Sequence, residues 1–520
     1  MSLTNTAEPA RPDARGKPPV HPVDEVLPAP RLFILGLQHL FIMYAGAVAV
    51  PLIVGGALGL PASTIGLLVN ADLLVSGIAT VIQSVGIGKI FGVRLPVVAG
   101  ATFTVLSPMI IIAQQYGLTA VYGAMLCSGV FGLLIAKPFS MLVRFFPPLV
   151  AGTVICVIGL SLIGADVSLI AGDNPAAKDY GQVSHIALAG LVMLLIVVIT
   201  RVFRGFISQI AVLLSIAIGT LVAWPMHLLN FSSVHSARWV GFSGFFRFGH
   251  PRFEAAAIIS MCIVMLVTYT ESTADMLAVS EMVGKKLTPG DLARGLATDG
   301  LSAVLAGFAN SFPDTAFAEN VGLVGLTRVR SRWVVTSCGT MLILLGFLPK
   351  IGQVVANVPG PVIGGAATVM FAMVTAVGIQ TLHKTSFDGN HNLLIVAVSL
   401  AAGLLPAVQP DFYEHFPSDF QVIFGSSITS TVIVVFTLNL VFNHWTRRPK
   451  GESAVSVAVR EGAVAVDVPD DGVSVPDDGV SVPDDGVSVP DYGVRVPDDG
   501  VSVPDYGVSV PDGVSVAGAT

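Results

Sequence analysis

Two carboxylates one helical turn apart interrupt an otherwise apolar stretch of the sequence. Glu271 and Asp275 lie in the segment 268–275, which also carries several hydroxyl side chains. Positions i and i+4 of a helix share one face. Ionisable side chains inside membrane spans are costly and are functional hypotheses by default. Because two acids this close do not both ionise easily in a low dielectric, we predict a group here that takes up and releases a proton.

A second stretch with residues that could bind a ligand covers positions 309–322, between long apolar runs. It contains Pro313, Glu319 and Asn320 where a hydrocarbon environment would favour leucine. Irregular, charged backbone at membrane depth is tolerated where it lines a protein cavity. We therefore predict a broken membrane span in which Glu319 accepts N–H donors from a ligand. Asn320 fits ligand contact and helix capping equally well.

Three further ionisable side chains lie inside apolar spans. His39 follows Gln38 in mid-span, and function and core packing are evenly balanced for it. Asp299 fits a proton relay or a structural hydrogen bond, whereas Asp72 favours packing. The sequence has no phosphate-binding loop, metal-ligand cluster or nucleophile elbow, so ATP-driven pumping and enzymatic hydrolysis are not indicated. The four cysteines are scattered singly, which argues against a disulfide framework or a zinc site.

The composition explains what positions these residues. The chain has 520 residues, of which 53% are hydrophobic and only 12% charged, against about 25% charged in soluble domains. The sequence predicts an all-α polytopic membrane protein with fourteen transmembrane segments of about 20 residues each. Most Lys and Arg residues between these segments fall on one side, which places both termini in the cytoplasm.

The ends of the chain differ from its middle. Residues 1–30 are rich in proline and polar residues and predict a disordered cytoplasmic arm, followed by a transmembrane transporter domain at 31–445. Residues 451–520 form an acidic low-complexity tail with a heptapeptide repeat, each unit containing both Pro and Gly. The net charge of −7 comes from this tail, so the membrane part is mildly basic and no nucleic-acid partner is expected.

Two of the predicted spans, the third and the tenth, share an unusual pattern. Residues 95–104 and 312–320 each open next to a proline, continue as a short extended stretch and then enter a helical pattern. A shift of seven spans reverses orientation in the membrane, which predicts a 7+7 inverted repeat. The two half-helices would point their N-termini at each other, and converging N–H groups suit a polar or anionic ligand.

Residues 319–328 resemble the signature of the nucleobase–ascorbate transporters, also called nucleobase:cation symporter type 2 or xanthine/uracil permeases. The signature begins with Gln or Glu, continues with Asn, any residue and Gly, and reaches Thr, as Glu319, Asn320, Gly322 and Thr327 do here. Gln38-His39, the 271–273 stretch and Asp299-Gly300 also fit this family. The resemblance covers residues 31–445.

The resemblance implies a core domain (about 31–139 and 254–351) and a gate domain (about 143–229 and 358–445) that move against each other. The residues implied to bind substrate are Glu271, Glu319, Phe103, Ala318, Asn320 and His39, with Phe103 and Ala318 acting through backbone amides. The residues implied to couple transport to an ion are Glu271, Asp275 and Asp299. A homodimer in the plasma membrane is expected, with the lipid bilayer as its environment.

The resemblance leaves the substrate open. Glu319 is typical of uracil carriers, whereas Asp275 is typical of the xanthine and urate branch. We expect proton-coupled uptake of a purine, xanthine or urate, with uracil as the alternative. An anion transporter of the same architecture is the alternative from another class. The proton is the expected coupling ion, with sodium second, and no metal or other cofactor is expected.

Overall fold

The protein is described here from a computed structural model that covers residues 21–142, 147–172, 178–229, 232–387 and 391–445. The architecture is helical apart from two short strands. The helices are α1 (Ala29–Ala57), α2 (Ala62–Val85), α3 (Leu106–Tyr116), α4 (Leu118–Leu142), α5 (Pro148–Ala171), α6 (Val183–Val202), α7 (Phe206–Gln209), α8 (Ala211–Ala223), α9 (Ser232–Ser236), α10 (Ala255–Val283), α11 (Pro289–Ala309), α12 (Ala318–Thr327), α13 (Arg332–Gly346), α14 (Pro349–Ala356), α15 (Gly360–Leu382), α16 (Asn392–Val408), α17 (Ser418–Phe424) and α18 (Ser427–Asn439). The strands are β1 (Ala99–Ala101) and β2 (Asp314–Ala316).

Several helices have the length and composition of membrane spans. Within the described ranges, seven helices are long and apolar enough to cross a bilayer. The number rises to nine if each of two sharply bent pairs, α13–α14 and α17–α18, forms one span. The seven are α1, α2, α4, α5, α6, α10 and α15. The chain is therefore a mostly helical, multi-pass membrane protein.

The third and tenth predicted spans contain the two strands. β1 and β2 pair antiparallel, with Gly100 opposite Thr315. Pro96 and Pro313 precede the strands, and extended backbone is favoured for the residue before a proline. α11 ends at Ala309, and the left-handed backbone of its C-cap residue Asn310 (φ 58°) turns the chain toward β2. The predicted extended stretches are therefore confirmed, and each feeds a short helix.

Glycine is required at the centre of this strand pair. A Cβ atom on Gly100 would lie 2.8 Å from the ring of Phe317. Both strands are buried along their whole length. Small residues therefore let the surrounding helices pack directly against the strand backbones.

The helices pack in matched pairs. α2 packs against α13, and α11 packs in the same way against α4. α1 also packs against α13, and α10 correspondingly packs against α4. A Cβ on Gly77 (α2) would lie 2.8 Å from the carbonyl oxygen of Gly339 (α13), and one on Gly129 (α4) would lie 2.8 Å from that of Gly300 (α11). Small residues at such contacts let helix backbones approach closely. α5 packs extensively against α15, outside this group.

The prediction of a disordered arm at residues 1–30 is wrong for residues 21–30. Pro22–Asp24 form a 3-10 helix, and α1 begins at Ala29. The Asp24 carboxylate accepts a hydrogen bond from the Arg332 guanidinium at 2.7 Å, and Ser331 donates to the carbonyl of Glu25 at 2.6 Å. These partners lie some 300 residues away, so sequence composition could not reveal them. Residues 1–20 and the predicted tail at 451–520 lie outside the described residues.

Candidate functional site

Glu271 meets the turn that follows β1. Its side chain projects from α10, and its two carboxylate oxygens accept hydrogen bonds from Thr104 Oγ1 at 2.8 Å and Thr102 Oγ1 at 3.3 Å. Thr102 caps the 3-10 helix Phe103–Val105 by accepting from the Thr104 amide at 3.2 Å. The turn thus fixes both hydroxyl groups, and they hold the carboxylate in one orientation.

Glu319 stands at the start of α12. Ala318 and Glu319 are exposed, although the neighbouring β2 is buried, so these two residues line an opening. Glu271 and Asp275 are partly exposed. Asp275 lies within electrostatic range of Glu271 and Glu319. Three carboxyl groups from two elements therefore converge at one place.

Two backbone amides complete the opening. Phe103 and Ala318 are the first residues of their short helices. The first N–H groups of a helix have no partner inside that helix. Because β1 and β2 run antiparallel, the helical segments that follow them enter the site from opposite directions. The site therefore combines N–H donors with carboxylate acceptors.

Ser272 ties α10 to β2. Its hydroxyl accepts a hydrogen bond from the Ala316 amide at 3.0 Å and lies 2.8 Å from Thr315 Oγ1. Ser272 is fully buried and directly follows Glu271. The position of Glu271 is thereby linked to the strand that leads into Glu319.

His39 and Asn320 bind each other. Asn320 Nδ2 lies 3.0 Å from His39 Nδ1 and donates to the His39 carbonyl at 2.9 Å. Both residues are 2% exposed. The contact holds the first turn of α12 against α1.

Asp299 lies behind the opening, on α11. Its carboxylate accepts from Gln83 Nε2 at 3.3 Å, and it is 1% exposed. Gln83 also donates to the Gly295 carbonyl and accepts from the Val93 amide. Asp299 is within electrostatic range of Asp275, which is the route by which it can influence the site.

An aromatic contact lies next to the opening. The rings of Phe103 and Phe371 meet edge to face with centroids 5.4 Å apart. Phe371 belongs to α15, whereas Phe103 follows β1. The contact therefore joins α15 to the turn that follows β1.

The structure brings most of the predicted site residues together and adds others. Glu271, Asp275, Glu319, Phe103 and Ala318 surround the opening, whereas His39, Asn320 and Asp299 support it from buried positions. Sequence reasoning missed the roles of Thr102, Thr104, Ser272 and Gln83. The available signal was the pair of hydroxyl groups of Thr102 and Thr104 inside the stretch that follows Pro96, and it covers only these two residues. Among the described residues, no group of three or more His, Cys, Asp or Glu could hold a metal ion.

Comparisons with known proteins identify the family of the chain. Residues 30–412 match the model of the Permease family, Xan_ur_permease. The chain is 42% identical over 430 residues to the uric acid transporter UacT of Escherichia coli (strain K12), covering 82% of this chain and 89% of that protein. It is 40% identical over 430 residues to a xanthine permease of Bacillus subtilis (strain 168), covering 83% and 98%.

A solved structure shares the fold at low sequence identity. Murine Solute Carrier 26 family member A9, an anion transporter in the inward-facing state, aligns with a TM-score of 0.54 and 12% identity, covering 79% of this chain and 68% of that chain. This likeness concerns the fold alone. The family match spans most of the chain, and the two relatives align over nearly their whole length. The chain therefore belongs to the Permease family of nucleobase–ascorbate transporters, and it is a transporter, not an enzyme.

Proposed function

We propose that the chain is a secondary active transporter that takes up a purine base, xanthine or urate, together with protons. The observation that carries this proposal is the opening where Glu271 and Glu319 converge with the first amides of two short helices. The relatives named as uric acid and xanthine carriers support the substrate class. Uracil is the second candidate because Glu319 is typical of uracil carriers.

The proposed recognition follows from hydrogen-bond chemistry. Ionised carboxylates are pure acceptors, and backbone amides are pure donors. Xanthine and urate present ring N–H groups alternating with carbonyl oxygens. Glu271 and Glu319 would accept from the N–H groups, the amides of Phe103 and Ala318 would donate to the carbonyls, and Phe103 would pack against the ring. Asn320, held by His39, would set the angle of α12.

The proposed coupling uses the same carboxylates. Glu271 would take a proton in the outward-open state and release it inside, and Asp275 and Asp299 would tune that exchange. A protonated Glu271 keeps its carbonyl oxygen as an acceptor for a ring N–H, and it no longer carries a charge that repels the carbonyl oxygens of the base, so proton and substrate would favour binding of each other. Sodium is the second candidate for the coupling ion.

We further propose fourteen spans in two inverted repeats of seven, divided into a core and a gate. The packing of α2 against α13 corresponds to that of α11 against α4, and the packing of α1 against α13 corresponds to that of α10 against α4. This correspondence supports an internal symmetry of this kind. The core would move against the gate across Phe103–Phe371 and across the hydrogen bond of 2.8 Å from Tyr116 to Asp419. Both termini would be cytoplasmic, in a homodimer in the plasma membrane.

Anion transport is the competing function. The fold likeness to an anion carrier does not support it, because folds host many unrelated functions. Three carboxyl groups at the opening would repel an anion of sulfate or bicarbonate type unless all were protonated. Urate, although anionic, still offers ring N–H donors to these acceptors.

Uptake of labelled xanthine, urate and uracil in cells without base carriers of their own tests the proposal. We expect saturable uptake of a purine that a protonophore abolishes and that persists when sodium is replaced by choline. The matched comparison is Glu319→Gln, which keeps the shape of the site, removes one charge and should change which base is preferred. Absence of uptake of every base by correctly inserted protein would refute the proposed function.

A further inference from the structure

A second group of carboxylates is buried behind β2, away from the opening. Asp314, the first residue of β2, is fully buried. Its two carboxylate oxygens accept hydrogen bonds from Ser76 Oγ at 2.6 Å and Ser302 Oγ at 2.5 Å. Ser302 in turn accepts from the Asp314 amide at 3.1 Å. Two helices, α2 and α11, therefore supply hydroxyl groups to one acid.

Asp72 lies beside this arrangement. It precedes Ser76 by one turn of α2, so both side chains share the helix face that meets β2. Asp72 is 1% exposed and interacts electrostatically with Asp314. Ser311 donates weakly to one of its oxygens, at 3.4 Å, and the other oxygen is buried without a partner among the described residues. We call Asp72 and Asp314 the buried acid pair.

No positive side chain neutralises the buried acid pair within the described ranges. The salt bridges there involve Asp24, Asp291 and Glu254 as acids. Arg332, on the adjacent α13, binds Asp24 and two carbonyls at the other end of α2. Lys350, on α14, lies over the ring of Trp239. The pair therefore has no counter-charge from these neighbouring helices.

The remaining titratable groups around the pair are acids or are already engaged. Asp299 on α11 is within electrostatic range of Asp314 and binds Gln83. On α1, His39 is engaged with Asn320. On α10, Glu271 is held by two threonines on the far side of the strands. Two uncompensated negative charges in the interior would be strongly unfavourable.

We propose that the buried acid pair is a second proton-binding site, in which one proton is shared between the two carboxyl groups and resides mainly on Asp72. Asp314 holds the negative charge because serine hydroxyls donate to both of its oxygens, and hydrogen bonds to the charged form favour that form. Asp72 has the unpartnered oxygen that a proton requires. The proton is exchanged with solvent water.

Asp299 connects this site to the transport machinery. It lies one turn from Ser302 on α11 and within electrostatic range of both Asp314 and Asp275. Loading of the buried acid pair therefore affects the charge that Asp275 and Glu271 experience. This role in transport depends on the proposed proton coupling, whereas the protonation itself does not.

Infrared spectroscopy of the full-length protein in lipid vesicles tests the site without a transport measurement. A protonated carboxyl group gives its own carbonyl band, which is followed during a pH titration. We expect a band that disappears in Asp72→Asn and remains in Glu271→Gln. A spectrum unchanged by Asp72→Asn would overturn the proposal, even if the proposed function holds.

A milder variant covers the case in which Asp72→Asn does not fold. Ser76→Ala removes one donor from the ionised acid and leaves both carboxyl groups in place, so the proton is held more tightly. The band should persist about one to two pH units higher than in the wild type. An unshifted titration in folded Ser76→Ala protein would contradict the shared proton.

The same titration distinguishes a proton from sodium. Sodium is replaced by choline at constant ionic strength, and the band is compared at each pH. We expect identical titrations. Loss of the band on adding sodium at constant pH, in the wild type but not in Asp72→Asn, would overturn the proton site in favour of a sodium site.

Discussion

The hydrogen bond from Thr104 to Glu271 offers the most discriminating perturbation of the substrate site. Thr104→Val replaces the hydroxyl by a methyl group of similar size, and Glu271 loses its shorter bond of 2.8 Å. The remaining donor, Thr102, lies 3.3 Å away and is too distant to fix the carboxylate alone. The change therefore leaves the Glu271 carboxylate without a fixed orientation, and it opens no cavity.

The size of the effect follows from the partial exposure of Glu271. A hydrogen bond to a charged group contributes about 1.5–3 kcal/mol, and about 1.4 kcal/mol corresponds to a factor of ten in affinity. Because Glu271 is partly exposed, water can replace some of the lost bond. We therefore expect the low end, a rise in KM for the purine of about tenfold, with a smaller change in maximal rate.

Initial uptake rates and equilibrium binding to purified protein measure this effect. Thr104→Ser keeps the hydroxyl and should stay within about threefold of the wild type. Thr102→Val removes the longer bond and should have a smaller effect than Thr104→Val. A Thr104→Val protein with unchanged KM and unchanged Kd would refute the view that Thr104 positions Glu271 for substrate.

Three further predictions concern other parts of the chain. Glu319→Gln should shift preference from uracil toward xanthine or urate, which competition uptake assays measure. His39→Ala and Asn320→Ala should each weaken binding, and the double variant should be no worse than the stronger single variant, with a coupling energy of about 1 kcal/mol. Deletion of residues 460–520 should leave transport intact, because the tail is predicted to carry no chemistry, and uptake normalised to surface expression tests this.

Each of these predictions has its own control. An unchanged substrate profile in Glu319→Gln would remove Glu319 as the selector. Combining Asn320→Ala with Thr104→Val, which do not contact each other, should give additive effects. Additivity between His39→Ala and Asn320→Ala would mean that their hydrogen bonds do not position α12. Lost transport in a correctly inserted deletion variant would assign a function to the tail.

The sequence revealed the residues whose chemistry conflicts with a membrane. Glu271, Asp275 and Glu319 were conspicuous because ionisable groups are rare at membrane depth. Pro96 and Pro313 indicate the two extended stretches because proline disfavours helical backbone at the residue before it. Such local conflicts are visible in a single sequence, without knowledge of which residues lie close together in the fold.

The residues that the sequence did not reveal depend on distant partners. Thr104 meets Glu271 across 167 residues, and Ser76 meets Asp314 across 238. A serine or threonine is ordinary in a membrane helix, so its role appears only when a carboxylate lies opposite. The sequence favours packing for Asp72 because its partner Ser311 lies 239 residues away in the chain. The ordered 21–30 segment was missed for the same reason, since its partners lie on α13.

The central claim is that Glu271 couples a proton to movement of the base, and accumulation in proteoliposomes tests it directly. Wild-type protein should concentrate labelled xanthine or urate when an inward proton gradient is imposed. Glu271→Gln, which keeps the size of the side chain and loses its titration, should bind the base but fail to concentrate it. Normal accumulation by Glu271→Gln would contradict the account.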